Sequence, residues 1–437
     1  MSTNTISMAI IGLLALGGLL AGPTPSTPGP VQATPPASAV PDGATSGPET
    51  VLEIRSAQAW VRETPGGTEK VAVLPEGTRV TQVGQAGDWI QVRLADGREG
   101  WLSGLMVGAP SLAGSGRSEV WAYYVEDRGL SSWSSFAANA DRLAGVMPWA
   151  FSLDGNGNLR LADQLTAAKL AQVLERAGRS GLETHLLVQN FRDGSFDRAA
   201  VHELLNDAQA RRRAAGAMVE QARAWGAAGI HLDLENVPPS DRQALTTFIQ
   251  ELSARLRAEG LEFSMALPAK TEDRPSHAWS GAFDYRAIAP HLDWAVLMTY
   301  DQHSRTGAPG PIAAAPWVEA VVQYALSAGF SPDRLLLGVA GYGYDWPREG
   351  TARTLTHSQV VSLFEEQRRL TPELTLRWDA SAKSPYFHYG SGHQVWFENH
   401  ESLSHKLQIA DRYGLAGVAL WRLGQEDPGS WALLAGS

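Results

Sequence analysis

No cysteine occurs among the 437 residues, which excludes disulfide frameworks, thiolate metal sites, a cysteine nucleophile and attachment through a lipid-modified cysteine. Basic residues are also in deficit. Lys and Arg number 36 against 46 Asp and Glu, for a formal net charge of -10. That balance removes the attraction that gathers phosphates, so neither nucleic acid nor an anionic lipid surface is expected as a partner. The basic cluster Arg211-Arg212-Arg213 lies in a helical-looking run and reads as a solvated helix face. Long apolar runs are scarce as well. Met8–Ala21 (MAIIGLLALGGLLA) is uncharged and apolar, but it is shorter than the ~20 residues that span a bilayer and has the length of a signal-peptide core. Residues 1–21 therefore read as a signal peptide or an uncleaved anchor. The expected location is extracellular or at the cell surface. No Lys or Arg precedes the run, and Ala37-Ser38-Ala39 fits a cleavage site better than Leu19-Leu20-Ala21 does.

What is present divides into segments. Residues 22–49 are mostly Pro, Thr, Ser, Ala and Gly, a composition that buries nothing and predicts a disordered, extended linker. From 50 to 107 short β-branched runs (KVAVL, RVTQVG, WIQVRL) alternate with turn pairs such as Gly66-Gly67 and Asp96-Gly97, predicting a small all-β barrel. The stretch GDWIQVRLADGREGW resembles the bacterial Src-homology-3-like domains that accompany cell-wall hydrolases. That resemblance implies attachment to the wall. Trp60, Trp89 and Trp101 form either a binding face or the core of this unit. A second linker covers 108–117.

From 118 to 437 strand-like and helix-like segments alternate. The strand candidates are Val120–Val125, Gly145–Phe151, Thr184–Asn190, Gly229–Glu235, Glu262–Leu267, Trp294–Tyr300, Leu335–Gly341 and Gly417–Leu423. Eight such units predict an α/β protein, a (β/α)8 TIM barrel, whose typical size of ~250 residues leaves an excess. The excess falls between strands seven and eight, at about 346–399, where a helical run and aromatic strand-like runs predict a small α+β insertion. Gly341-Tyr342-Gly343-Tyr344 has neither a phosphate-loop Lys nor a dinucleotide fingerprint and reads as a barrel-end turn.

Strands of a parallel barrel are buried on both faces and normally read as continuous apolar runs. Strand four departs from this rule. In Gly229-Ile230-His231-Leu232-Asp233-Leu234-Glu235 the side chains alternate, so His231, Asp233 and Glu235 share one face. Residues two apart lie ~6.6 Å apart along a strand, placing Asp233 deeper and Glu235 at the C-terminal mouth, where barrel enzymes keep their active sites. The deeper carboxylate and burial would raise the proton affinity of Glu235, making it a proton donor near neutral pH.

These residues resemble glycoside hydrolase family 18, the chitinase-like enzymes, whose fourth strand carries Asp-x-x-Asp-x-Asp-x-Glu. Asp233 and Glu235 match its last two acids, while Ala228 and His231 stand where the others would be. Met298-Thr299-Tyr300-Asp301 on strand six and the tryptophan-bearing Gly417–Gly424 on strand eight match further family positions. Glu235-Asn236-Val237, LLLGVAGYGYDW and GVALWRLGQED resemble the branch of spore cortex-fragment-lytic enzymes. The resemblance implies a retaining, substrate-assisted hydrolysis of β-1,4-linked N-acetylhexosamine polymers, peptidoglycan before chitin, in which the 2-acetamido oxygen attacks the anomeric carbon. Glu235 would be the acid. Asp233 would orient the amide, Tyr300 would hold its oxygen, and Trp421 would supply an apolar floor.

Asp301, Met298 and Asn190, at strand ends, are further expected lining residues. His231 either donates to Asp233, or charges and lowers both carboxyls, or packs as a neutral filler. His388, His393, His400 and His405 match no tight ligand motif, and neither a metal nor a cofactor is expected. A polysaccharide substrate and a monomeric chain are expected. The competing reading is a catalytically silent glycan-binding wall protein, against which the presence of Glu235 speaks.

Overall fold

The computed structural model describes residues 50–54, 58–67, 69–75, 78–86, 89–103, 107–108, 119–127 and 132–434. The export segment 1–21, the linker 22–49 and all but the first residue of the linker 108–117 lie outside them. The chain separates into two compact units, divided near residue 112.

The first unit is one antiparallel seven-stranded sheet, in the order Lys70–Pro75, Gln58–Arg62, Glu99–Ser103, Trp89–Arg93, Arg79–Ala86, Thr50–Ile54, Val107–Gly108. Leu52, Ile54, Ala59, Val61, Val80, Val92, Leu94 and Leu102 form a single buried core, so the sheet curls around its own apolar face. None of the three tryptophans belongs to that core. The register pairs Arg62 with Trp101 and Trp101 with Gln91, and residues two apart share a face. Trp60, Trp89 and Trp101 therefore stand on one outer face, with Trp60 39% exposed and the Lys70 ammonium 3.8 Å from the centre of its ring.

The second unit is a closed barrel of eight parallel strands. Strands one to eight are Glu119–Tyr124, Gly145–Leu153, Glu183–Gln189, Gly229–Asp233, Glu262–Pro268, Trp294–Met298, Leu335–Ala340 and Gly417–Trp421. Each pairs with the next, and strand eight closes on strand one. Helices cover the outside because apolar stripes must be buried against the strands. Helix Ala208–Trp225, capped by the Asp207 side chain, leads the chain into strand four, and Ile230, Leu232 and Leu234 are fully buried. Within Arg211-Arg212-Arg213, Arg212 and Arg213 are exposed, while Arg211 pairs with Glu251 of the following helix at 2.8 Å.

Strands four and six end earlier than their sequence patterns suggest, at Asp233 and Met298. Glu235 and Tyr300 thus stand beyond the ladder, on the lip. Each is followed by a residue in the left-handed region, Asn236 and Asp301, both at φ 56°, which turns the chain away and leaves the preceding side chain at the mouth.

Between strands seven and eight lies a five-stranded antiparallel sheet, ordered Arg353–Thr356, Tyr342–Trp346, His393–Phe397, Ser384–Tyr389, Arg377–Asp379, with helix His357–Leu370 against it. Its sheet starts at Tyr342. The segment Gly341–Tyr344 is consequently not a turn: Tyr342 and Tyr344 are buried strand residues whose alternation with Gly343 lets the strand pass close to Phe397, where a Cβ on Gly343 would lie 2.4 Å from the Phe397 Cβ.

Candidate active site

Strand four places three polar side chains along the barrel axis. His231 and Asp233 are buried, at 0% and 2% exposure, and Glu235 is half-buried. A buried polar group must find a partner or raise the energy of the fold. His231 finds two: its Nε2 lies 3.0 Å from the Tyr123 hydroxyl and its Nδ1 2.9 Å from Ser264 Oγ. Ser264 Oγ also lies 2.9 Å from Nδ1 of His185, so a chain of buried polar groups runs down the barrel. Asp233 is different. Its Oδ1 is buried with no hydrogen-bond partner among the described residues.

Glu235 is held by its backbone. The Asn190 amide accepts from Glu235 N–H at 3.0 Å and donates to its carbonyl at 3.0 Å, reproducing with a side chain the two contacts a ladder neighbour would make. Asn236 beyond it donates to the Phe196 carbonyl at 3.3 Å, and Arg198 reaches Asn236 Oδ1 at 3.1 Å.

Strand six contributes Tyr300 and Asp301. A Cβ on Gly338 of strand seven would fall 3.0 Å from Tyr300 Cε1 and 2.4 Å from the Leu297 carbonyl; a glycine there is what admits the Tyr300 ring. Asp301 Oδ1 accepts from the hydroxyls of Tyr342 and Tyr344 at 2.5 and 2.6 Å, tying the insertion sheet to the barrel mouth. Strand eight contributes Trp421, stacked over Tyr300 at 6.5 Å and an interplanar angle of 22°, and edge-packed on Tyr123 at 5.0 Å. Trp149 of strand two tilts against Trp421 at 5.3 Å. The result is an aromatic bowl with carboxyl groups on its wall.

Burial sets the proton affinities. Desolvation lifts Asp233 to about 7. Burial, then the neighbouring Asp233, then Asp301 hold the Glu235 carboxyl well above its usual range. Burial, with His185 adding repulsion, holds the His231 imidazolium well below its usual range, so His231 is neutral at physiological pH. Two carboxyl groups of raised proton affinity thus lie close together at the mouth. A carboxylic acid beside an acceptor can protonate a leaving oxygen and take the proton back.

The structure brings Glu235, Asp233, Tyr300, Trp421 and Asp301 together; Met298 is buried at the end of strand six. Two expectations need correction. Asn190 does not line the bowl: it is 1% exposed, and its amide is engaged by Glu235 and by the Asp197 carbonyl. His231 does not donate to Asp233, because both ring nitrogens are engaged by Tyr123 and Ser264. Of the clustered histidines, His393 pairs with Asp345 at 2.9 Å, His400 with Asp427 at 2.7 Å, and His405 faces Trp378; they diverge. Tyr123 and Trp149 went unnoticed in the sequence, and Tyr342 and Tyr344 were placed in a turn. Inward parity with Trp121 would have found Tyr123.

The barrel holds the acid pair of strand four and the tyrosine and tryptophan of strands six and eight at one mouth, the arrangement expected of a family 18 glycoside hydrolase site. Residues 192–426 match the glycosyl hydrolases family 18, and residues 59–107 match the bacterial SH3 domain; the chain belongs to the former family and carries the latter domain ahead of its barrel. Among its relatives is the cortical fragment-lytic enzyme of Bacillus subtilis (strain 168), 32% identical over 259 residues, which cover 57% of this chain and 59% of that protein. This chain thus spans about three fifths of that relative's length. The spore cortex-lytic enzyme SleL of Bacillus megaterium QM B1551 superposes with a TM-score of 0.65 at 25% identity, covering 77% of this chain and 76% of that one. A chitinase from Chromobacterium violaceum ATCC 12472 gives 0.67 at 26%, covering 73% and 98%.

Proposed function

We propose that this protein is an exported glycosidase that hydrolyses β-1,4 bonds of N-acetylhexosamine polymers, peptidoglycan or spore cortex ahead of chitin, by a retaining, substrate-assisted mechanism. The observation that carries the reading is the buried Asp233 Oδ1, unpartnered among the described residues, two residues below a Glu235 whose carboxyl is held above its usual range by burial and neighbouring acids. An acceptor left unsatisfied in a closed fold costs about 1–3 kcal/mol, and an incoming amide N–H removes that cost.

Glu235 gives its proton to the glycosidic oxygen as the C1–O bond breaks. The 2-acetamido oxygen attacks C1 from the other face, forming an oxazolinium ion. Asp233 accepts the amide N–H and balances the positive charge, while the Tyr300 hydroxyl donates to the acetamido oxygen and holds it in line. Trp421 packs beneath the sugar ring. Water then adds at C1, opening the oxazolinium ring, and returns a proton to Glu235. No protein nucleophile is required. The likeness to cortex-lytic enzymes and the aromatic outer face of the SH3 unit favour a wall glycan, with that unit as the wall-binding part.

The test incubates the chain with purified peptidoglycan, spore-cortex fragments and chitin, wild type and Glu235→Gln in parallel, and identifies new reducing ends by mass spectrometry. N-acetylglucosamine ends on muropeptides, made by the wild type alone, are expected. Ends from chitin only would move the substrate, and equal product from both proteins would remove Glu235 from the chemistry.

A further inference from the structure

The buried polar chain below His231 leads to a second cluster at the opposite, N-terminal end of the barrel. Glu183 and His185 open strand three, and Glu262 opens strand five, so the three groups straddle the start of strand four. Their ligand atoms lie within 4.8 Å of one another. His185 is fully buried, and its Nε2 has no hydrogen-bond partner among the described residues: it faces Glu262 Oε2 at 3.3 Å, off the line of a hydrogen bond. A fully buried ring nitrogen without a hydrogen-bond partner among the described residues, set beside two carboxylates, is where a cation would sit.

We infer that Glu183, His185 and Glu262 form a binding site for one divalent cation of the zinc type, at the end of the barrel remote from the chemistry. The donor set, one imidazole nitrogen and two carboxylates, suits a borderline first-row ion. The surroundings are built for such a centre. Ser264 Oγ takes the other ring nitrogen of His185 at 2.9 Å, the outer contact that orients a metal-ligating imidazole. Trp294 Nε1 donates to Glu262 Oε2 at 3.2 Å, and the Trp121 and Trp294 rings pack on His185 at 5.3 and 4.9 Å.

Gly229 makes the space. A Cβ there would lie 2.8 Å from His185 Cε1 and 2.4 Å from the Glu262 carbonyl oxygen, so no other residue lets the imidazole lie across the start of strand four. Negative charge is concentrated here: Glu262 Oε2 lies 3.3 Å from the imidazole, and a Glu183 carboxylate oxygen lies within 4.8 Å of both. A cation relieves that repulsion and ties strands three and five together across the strand that carries Asp233 and Glu235. Its role is structural, and no step of hydrolysis passes through it.

Binding is measured on the full chain, stripped with a chelator and then dialysed against Zn2+, with the thermal midpoint followed in parallel. One Zn2+ per chain and a raised midpoint are expected. Glu183→Gln, at an exposed position that the fold tolerates, and Glu262→Gln are each expected to weaken binding by at least ~10-fold and to abolish the thermal response. If the wild type binds no Zn2+, or if the Glu183→Gln/Glu262→Gln double variant binds it with unchanged stoichiometry and affinity, the assignment fails. No glycan enters the experiment, so its result is independent of the hydrolytic reading.

Discussion

Two aspartates stand at the mouth of this barrel, one at the end of strand four and one just past strand six, and they differ in their partners. Asp301 Oδ1 holds two tyrosine hydroxyls from the insertion sheet. Asp233 Oδ1, more deeply buried, has no hydrogen-bond partner among the described residues. A satisfied carboxylate anchors structure, whereas an unsatisfied one in the same bowl is reserved for a group that arrives later. Asp301 keeps the insertion in place and Asp233 is the acid proposed to meet the substrate, with strand five between the two.

The largest effect is expected at the group both aspartates influence. Glu235→Gln removes the proton donor and should lower kcat by ~10²- to 10⁴-fold on a fluorogenic N-acetylglucosamine oligomer with little change in KM; retention of more than a tenth of the activity would break the assignment. Asp233→Asn should lower kcat by ~10²-fold, the scale of one lost charge-stabilising contact. The same variant has a stability signature. Because folding raises the Asp233 pKa from 3.8 to about 7, the carboxyl favours the fold below pH ~4, and that advantage is lost as pH rises towards 7. Thermal denaturation of Asp233→Asn should therefore show a gain over wild type, on the order of 1 kcal/mol or more, at pH 8 and none at pH 4.

Asp301→Asn should sharpen the contrast. It removes one of the two like charges that raise Glu235, so the alkaline limb of the kcat/KM profile should move to lower pH while kcat at its optimum falls less than ~10-fold. An Asp301→Asn loss as large as that of Asp233→Asn would erase the distinction drawn here. The smallest effect is expected at His231→Asn: His231 is bonded to Tyr123 and Ser264 rather than to the carboxyls, so most activity should survive, with only the pH profile altered. Loss comparable to Glu235→Gln would refute this.

How much of this was legible in the sequence depends on distance along the chain. Strand four could be read because period-two alternation within seven residues puts Asp233 and Glu235 on one face. The strand candidates on either side were legible from apolar runs and helical spacing. The chain Tyr123–His231–Ser264–His185 was not, because it joins strands one, four, five and three, and only barrel closure makes them neighbours. Tyr342 and Tyr344 were misread because alternating glycines look like a turn when the strand they approach lies fifty residues downstream. Asn190 was expected to face the bowl on the strength of its place at a strand end. Its direction is set by the unpaired backbone of Glu235, which no local pattern announces.

That amide clamp also bears on how such a protein changes over time. The acid at 235 contributes little to its own placement, since a neighbour grips its peptide from both sides. Exchanging the carboxyl for an amide would therefore leave the lip, the aromatic floor and the empty acceptor below it standing. On the proposed mechanism that one exchange would remove the chemistry and leave the fold nearly untouched.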